Sequence, residues 1–296
     1  MSIDGIALAA LGSIAFSGKA IIVKLGYRYG ADAITLIMLR MLFALPLFAA
    51  TALWIRTRRG LPALLPGDGA KIVILGFLGY YLASFLDFVG LRFVTATLER
   101  LIIYLNPTIV LAIGAVMFKR PITRRQIVAL CISYLGVMLT FAHDMAVGAS
   151  NVALGSTFVF ASTVAYAVYL VGSGELVRRV GSIRLTAYAS CVACILCILQ
   201  FLITRPLSAL DLPAPVYWLS LLNALACTVL PVFAVMMAIS RIGAATTAQI
   251  GMIGPVATIA LSAVVLHEEM GPWQISGTAL VLTGVFVISH RTKTGD

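Results

Sequence analysis

Leu91–Leu139 reads LRFVTATLERLIIYLNPTIVLAIGAVMFKRPITRRQIVALCISYLGVML, and 148 residues later Ile239–Val287 reads ISRIGAATTAQIGMIGPVATIALSAVVLHEEMGPWQISGTALVLTGVFV. Laid over each other without a gap, the two stretches share ten identities in 49 pairs, among them Ala96/Ala244, Pro107/Pro255, Gln126/Gln274, Ile127/Ile275 and Gly136/Gly284. Ile6-Ala7-Leu8 and Val152-Ala153-Leu154 extend the likeness toward the start of each half. The chain therefore reads as two related halves, 1–142 and 152–296, joined by 143–151. A repeat on this scale decides the fold before any single element does.

Composition says what kind of halves these are. The 296 residues are 61% hydrophobic and 11% charged, with a mean hydropathy of +1.06, against about 45–50% apolar and about 25% charged in soluble domains. So little charge cannot cover a water-facing surface. The formal charge of +10 comes from short clusters between apolar runs, such as Arg56, Arg58, Arg59 and Lys119, Arg120, Arg124, Arg125. That is the placement of topology-setting charge, and no basic stripe interleaved with aromatics points to nucleic acid. The Met-Ser-Ile-Asp start lacks the positive n-region and small-residue cleavage site of a signal peptide, so the first apolar run is read as a retained span. Cys191, Cys194 and Cys197 recur every third residue. With no histidine nearby in sequence they read as packing residues, not a four-ligand metal site.

Apolar runs separated by charge or turn signals give ten expected transmembrane helices, at 4–25, 32–55, 71–92, 95–118, 126–142, 152–174, 184–204, 215–240, 244–266 and 272–290. Each approaches the roughly 20 residues a bilayer requires, and continuous apolarity excludes barrel strands. The expected class is an all-α integral membrane protein. With both termini in the cytoplasm, the inside segments hold fourteen Lys and Arg and the outside ones four, namely Lys24, Arg28, Arg92 and Arg205. This bias predicts termini on the cytoplasmic side of the cell (inner) membrane. Five spans per half is odd, so the second half is expected to be inverted. The loop after the fourth span is basic, while its repeat mate carries His267, Glu268 and Glu269. Two inverted halves around a midplane site are a recurring transporter architecture, because they can exchange conformations and expose one site alternately.

The helix–loop–helix pair closing each half carries a family resemblance: Thr95-Ala96-Thr97, Leu105-Asn106-Pro107 and Gly136 in the first, Gly243-Ala244-Ala245, Ile253-Gly254-Pro255 and Gly284 in the second. In these residues, in length and in repeat structure the chain resembles the drug/metabolite transporter superfamily, specifically its EamA-type branch. The resemblance implies ten helices and transport of a small molecule. That family carries a Glu in the loop after each proline-containing helix. Glu268 matches it, whereas Arg120 stands at the other place, which points to a topology or packing role.

Ionisable residues at membrane depth are expensive and are functional candidates by default. Here they are Lys19, Arg40, Asp87, Glu99 and Arg100, each roughly 4 to 10 Å outward of its helix centre at a rise of about 1.5 Å per residue. They come from four helices of the first half. Two readings stand side by side. One is a structural ion-pair lock near the outer interface, with Lys19 snorkelling. The other is a substrate-binding pocket open to the outside, where Lys19 and Arg40 attract a carboxylate or phosphate and Asp87 or Glu99 binds an amine or exchanges a proton. Helical spacing adds Gly12, Phe16 and Lys19 on one face, and Tyr80, Ser84 and Asp87 on another. Glu99, Ile103 and Asn106 form a third, and Ser162, Tyr166 and Tyr169 a fourth. Asn223 and Gln249 are weaker lining candidates. Among Pro46, Pro107, Pro231 and Pro255, the repeat-related Pro107 and Pro255 are candidate gate hinges, since each is expected to remove a backbone hydrogen bond inside a span.

The expected function is a secondary exporter or exchanger of a small organic metabolite, amino-acid-like or drug-like, working within the lipid bilayer with protons or a counter-substrate as coupling species. No phosphate-cradling Gly-x-x-x-x-Gly-Lys loop exists, so neither ATP drive nor a cofactor is expected. A channel or lipid scramblase would carry polar residues through the full membrane depth. A membrane-embedded enzyme would need a nucleophile–base pair at depth, and His143, His267 and His290 fall in loops or at a helix end.

Overall fold

A backbone that meets no water must bond its own N–H and C=O groups, and the apolar runs do so as helices. The computed structural model describes residues 3–57, 64–118, 124–146, 151–242, 250, 253–267 and 271–289. Arg58, Arg59, Lys119, Arg120, Gly243, Ala244, Ala245, Gln249, Glu268, Glu269, His290, Arg291 and Lys293 of the sequence reading lie outside them. Among the described residues the architecture is all-helical, with no strand.

The first half begins with α1 (Ile3–Arg28) and α2 (Ala33–Thr57). Next comes α3, a continuous run over Asp68–Gly90. The expected span at 95–118 is two helices, α4 (Ala96–Ile103) and α5 (Asn106–Phe118), and α6 (Arg124–Ala146) follows. The second half opens with α7 (Val152–Val180) and α8 (Ser182–Thr204). Then α9 runs Ala214–Ala224, turns π-helical over Leu225–Val229 and resumes as Leu230–Ile242. After it, α10 is Ile253–Leu261 with a π-helical end over Ser262–Leu266, and α11 is Pro272–Ser289. Among the described residues six helices are long and apolar enough to cross a membrane: Asp4–Arg28, Ala33–Thr57, Asp68–Gly90, Val152–Ser173, Ser182–Thr204 and Ala214–Val235.

The break between α4 and α5 has a local cause. Tyr104 and Leu105 form a turn, and Asn106 starts a new helix in which Pro107 is the second residue. A proline there loses nothing, because the first N–H groups of a helix have no internal partner. Pro107 thus restarts a helix; the expectation that it removes a bond inside a continuous span does not hold.

The main core draws on both halves and is aromatic and aliphatic. Phe48, Phe88 and Phe201 are fully buried between α2, α3 and α8, with Ile37 and Leu39 beside them. Cys194 and Cys197 sit in the same cluster, and Cys194 Sγ lies 3.7 Å from Met41 Sδ. The packing role read from the sequence is the one they have here. At the entry to α2, Asp32 accepts from the Ile34 N–H at 2.9 Å and the Thr35 hydroxyl at 2.6 Å, and pairs with Arg205 Nε at 3.3 Å. Burial alone would raise its carboxyl, but the Thr35 hydroxyl, the Ile34 N–H and the Arg205 guanidinium hold it below the usual range. In the closing pair α6 and α11 approach backbone to backbone. A Cβ on Gly136 would stand 2.5 Å from the Gly277 carbonyl oxygen.

Two outcomes are expected. Gly277→Leu forces these helices apart at a cost of about 1–3 kcal/mol or more, read as a lower Tm of the purified protein. Asp32→Asn lowers Tm at neutral pH. A depressed folded-state carboxyl contributes stability above its unfolded value and loses it as pH falls through the folded one, so the gap to wild type closes below about pH 4.

Candidate functional site

On a helix, residues three and four apart share a face, and that rule assembles a cavity of about 320 Å³. Ser13, Phe16 and Lys19 of α1 face it, as do Arg40 and Met41 of α2. So do Gly79, Tyr80, Ala83, Ser84 and Asp87 of α3. Arg100 and Ile103 of α4, Tyr104 in the break and Asn106 of α5 complete that side. Opposite stand Ser162, Thr163 and Tyr166 of α7, Cys227, Thr228, Val232 and Val235 of α9, and Gly254 of α10.

Two backbone defects shape this wall. Both α3 and α9 contain a π-helical segment, Phe77–Leu82 and Leu225–Val229, whose first residues are 148 positions apart, the offset of the sequence repeat. The Ala83 N–H reaches back to Leu78 O and the Leu230 N–H to Leu225 O, five residues in each case. The second segment precedes Pro231, which has no N–H to offer. Thr228 Oγ1 donates to Asn223 O at 2.9 Å, covering a carbonyl two residues before the segment. Gly79 and Tyr80 in one segment and Cys227 and Thr228 in the other all line the cavity. At Gly79 a Cβ would overlap the Tyr169 ring, so only glycine lets α3 and α7 meet there.

The charges form one cluster. Lys19 Nζ donates to Asp87 Oδ2 at 2.5 Å and lies 3.7 Å from Glu99 Oε1. Asp87 and Glu99 are buried, at 2% and 0% exposure, which such groups tolerate only when paired. Arg100 Nη2 donates to the Phe16 carbonyl at 3.0 Å. The Arg40 guanidinium lies over the Phe88 ring, 4.7 Å from its centroid, in cation–π range.

Seven of the nine expected binding residues line the cavity: Lys19, Arg40, Tyr80, Ser84, Asp87, Asn106 and Tyr166. Glu99 and Tyr169 are in the layer behind. Glu99 backs the Lys19 ammonium, and Tyr169 braces the aromatic wall. Its ring stacks 5.7 Å from Tyr166, and its hydroxyl is 3.1 Å from that of Tyr80. Asn223 is buried but outside the lining set. Hinge candidates Pro107 and Pro255 lie near the starts of α5 and α10, next to lining residues Asn106 and Gly254. The halves are stitched at the cavity by Asn106 Nδ2 to Thr163 O at 3.2 Å, Ser162 Oγ to Ala83 O at 2.6 Å and Ser17 Oγ to Gly254 O at 2.7 Å. The sequence reading missed Cys227 and Thr228 as lining groups. The signal was Asn223 and Thr228 five apart in an apolar run that Pro231 interrupts.

The model of the EamA-like transporter family matches this chain twice, over residues 3–142 and 153–290. The uncharacterized transporter YcbK of Bacillus subtilis is 31% identical over 294 residues, covering 96% of this chain and 93% of that one. A second protein of that organism, the uncharacterized transporter YyaM, is 25% identical over 225 residues, 75% of this chain and 73% of its own. A solved crystal structure superposes with a TM-score of 0.67 at 15% identity, over 99% of this chain and 100% of the other, a likeness of fold.

The charge cluster predicts an asymmetry. Lys19→Met leaves two buried carboxylates facing each other, with a loss of about 3–5 kcal/mol. Asp87→Asn costs less, because Lys19 keeps Glu99. Thermal unfolding of both variants in the same detergent checks the order.

Proposed function

This chain belongs to the EamA-like transporter family, and we propose that it is a secondary transporter that moves a small organic metabolite by alternating access. The observation carrying this reading is the composition of the cavity wall. Its side chains come from both family-matched stretches, Ser13 to Asn106 from the first and Ser162 to Gly254 from the second. A site shared between two repeats is the one that a rocking of one repeat against the other opens alternately to each side. Membrane location and many spans accord with six helices of spanning length and apolarity.

In the full reading, residues 1–142 and 152–296 are five-helix repeats joined by 143–151, ten spans in all, with the second repeat inverted. Both termini are cytoplasmic and the membrane is the inner one, supported by the fourteen-to-four bias of basic residues. Transport runs outward or as exchange. Lys19, Asp87 and Glu99 are the place where a proton or counter-substrate is coupled, since two carboxylates facing one cation leave one negative charge that a proton or a cation neutralises. Tyr80, Tyr166, Ser84 and Asn106 hold the solute, and Pro107 and Pro255 flank the moving joints.

In proteoliposomes, Glu99→Gln and Lys19→Ala are each expected to abolish transport of a solute that wild-type protein carries, while still eluting as monodisperse protein. Wild-type rates in both remove the cluster from the mechanism. Reporter fusions at the two termini check the orientation; opposite sides would refute the even span count.

A further inference from the structure

Within the cluster, Lys19 is satisfied and Arg40 is not. Arg40 is 4% exposed and lines the cavity, yet its Nε and Nη2 have no hydrogen-bond acceptor among the described residues. Arg100 lines the same cavity, donates from Nη2 and lies within electrostatic reach of Glu99; its Nε has no acceptor among the described residues either. Both guanidiniums, and Lys19, lie within electrostatic reach of Cys227 on the opposite wall. Asp87 is also within reach of Arg40, but its hydrogen-bonded oxygen goes to Lys19 and the other has no donor. The formal charges are three positive (Lys19, Arg40, Arg100) and two negative (Asp87, Glu99), an excess of one positive charge around a single cavity.

A guanidinium taken out of water with open N–H groups is costly unless something completes its shell, and its planar fork matches a carboxylate. Lys19 Nζ, meanwhile, already stands where an amine would have to sit, against Asp87 and Glu99. The aromatic and aliphatic part of the wall, Tyr80, Tyr166, Ile103 and Val232, offers an organic body far more contact than a bare inorganic ion could use. At about 320 Å³ the space is at the small end of ligand pockets.

We propose that the ligand of this cavity is an organic monoanion, its carboxylate on Arg40 and Arg100 and its apolar or aromatic body along Tyr80 and Tyr166. This rests on the transporter reading and narrows its substrate class. The amine-binding part that the sequence suggested for Asp87 or Glu99 falls to Lys19 instead, from within the protein.

The test is a charge series on one skeleton, with the full-length protein in lipid nanodiscs. The probes are 3-phenylpropionate, 3-phenylpropanamide, phenethylammonium and L-phenylalanine, with 4-methylpentanoate as an aliphatic anion and chloride and inorganic phosphate as bare anions. Binding is read by thermal shift and calorimetry. The carboxylates are expected to bind best, with Arg40→Gln weakening them about tenfold or more, the loss of a charge-assisted pair. Arg40→Lys, which keeps the charge without the fork, falls between. Should Arg40→Gln fail to fold, the wild-type ranking still decides. Equal or better binding of the ammonium or the zwitterion, lost in Tyr166→Ala, overturns the anion assignment and leaves the cavity as a solute site. A full response to chloride or phosphate alone overturns the organic ligand. Binding of no probe overturns this assignment together with the cavity's role in transport.

Discussion

A carboxylate without water keeps its charge only beside a cation, and the interior of this protein is organised around that requirement. Asp87 on α3 and Glu99 on α4 are buried, and both depend on the Lys19 ammonium from α1. The first helix is held to the consecutive pair α3 and α4 at one point by charges that are costly to separate in a medium of low dielectric. Once α1, α3 and α4 are fixed there, the helical register sends Phe16, Tyr80, Ser84 and Arg100 toward the same space. The second half then closes it through hydrogen bonds to main-chain carbonyls, as from Ser162 to Ala83 and from Asn106 to Thr163. The cavity is thus a result of satisfying polar groups first and packing apolar ones around them.

Much of the irregular backbone borders this space, the π-helical end of α10 being the exception. The α4–α5 break, the π segments of α3 and α9 and the close passage of Gly79 under Tyr169 all border it, whereas α2 and α8 pack as unbroken helices around Phe48 and Phe201. A membrane-embedded backbone tolerates such departures where protein or a polar cavity can absorb the freed groups. Regular helices α1, α2 and α7 supply much of the rest of the wall, so the cavity is framed by both kinds of backbone.

Much of this was readable in the residues. Apolar runs bounded by charge marked the helices, and Tyr80, Ser84 and Asp87, spaced by four and three, named a face that does line the cavity. Spacing fixes a face but not a depth, so Glu99 and Tyr169, in register with true lining residues, turned out to be one layer behind. Pro107 was legible as a special backbone position. Which kind depended on the turn at Tyr104 and Leu105, which the Asn106-Pro107 pair marks but the continuous apolarity on both sides obscured. Cys227 and Thr228 escaped because face assignment assumes 3.6 residues per turn, and the π segment ending at Val229 resets the phase.

A π turn is a helix carrying one residue more than its pitch requires, and one residue is about 100° of helical phase. Sliding the surplus along the helix would rotate only the side chains it passes, leaving both ends of the span where they are. The two segments in α3 and α9 set such a surplus on each repeat's side of one cavity, at equivalent positions. The side chains of Tyr80 and Thr228 therefore take their direction from that surplus, a matched pair of phase shifts set into two spans.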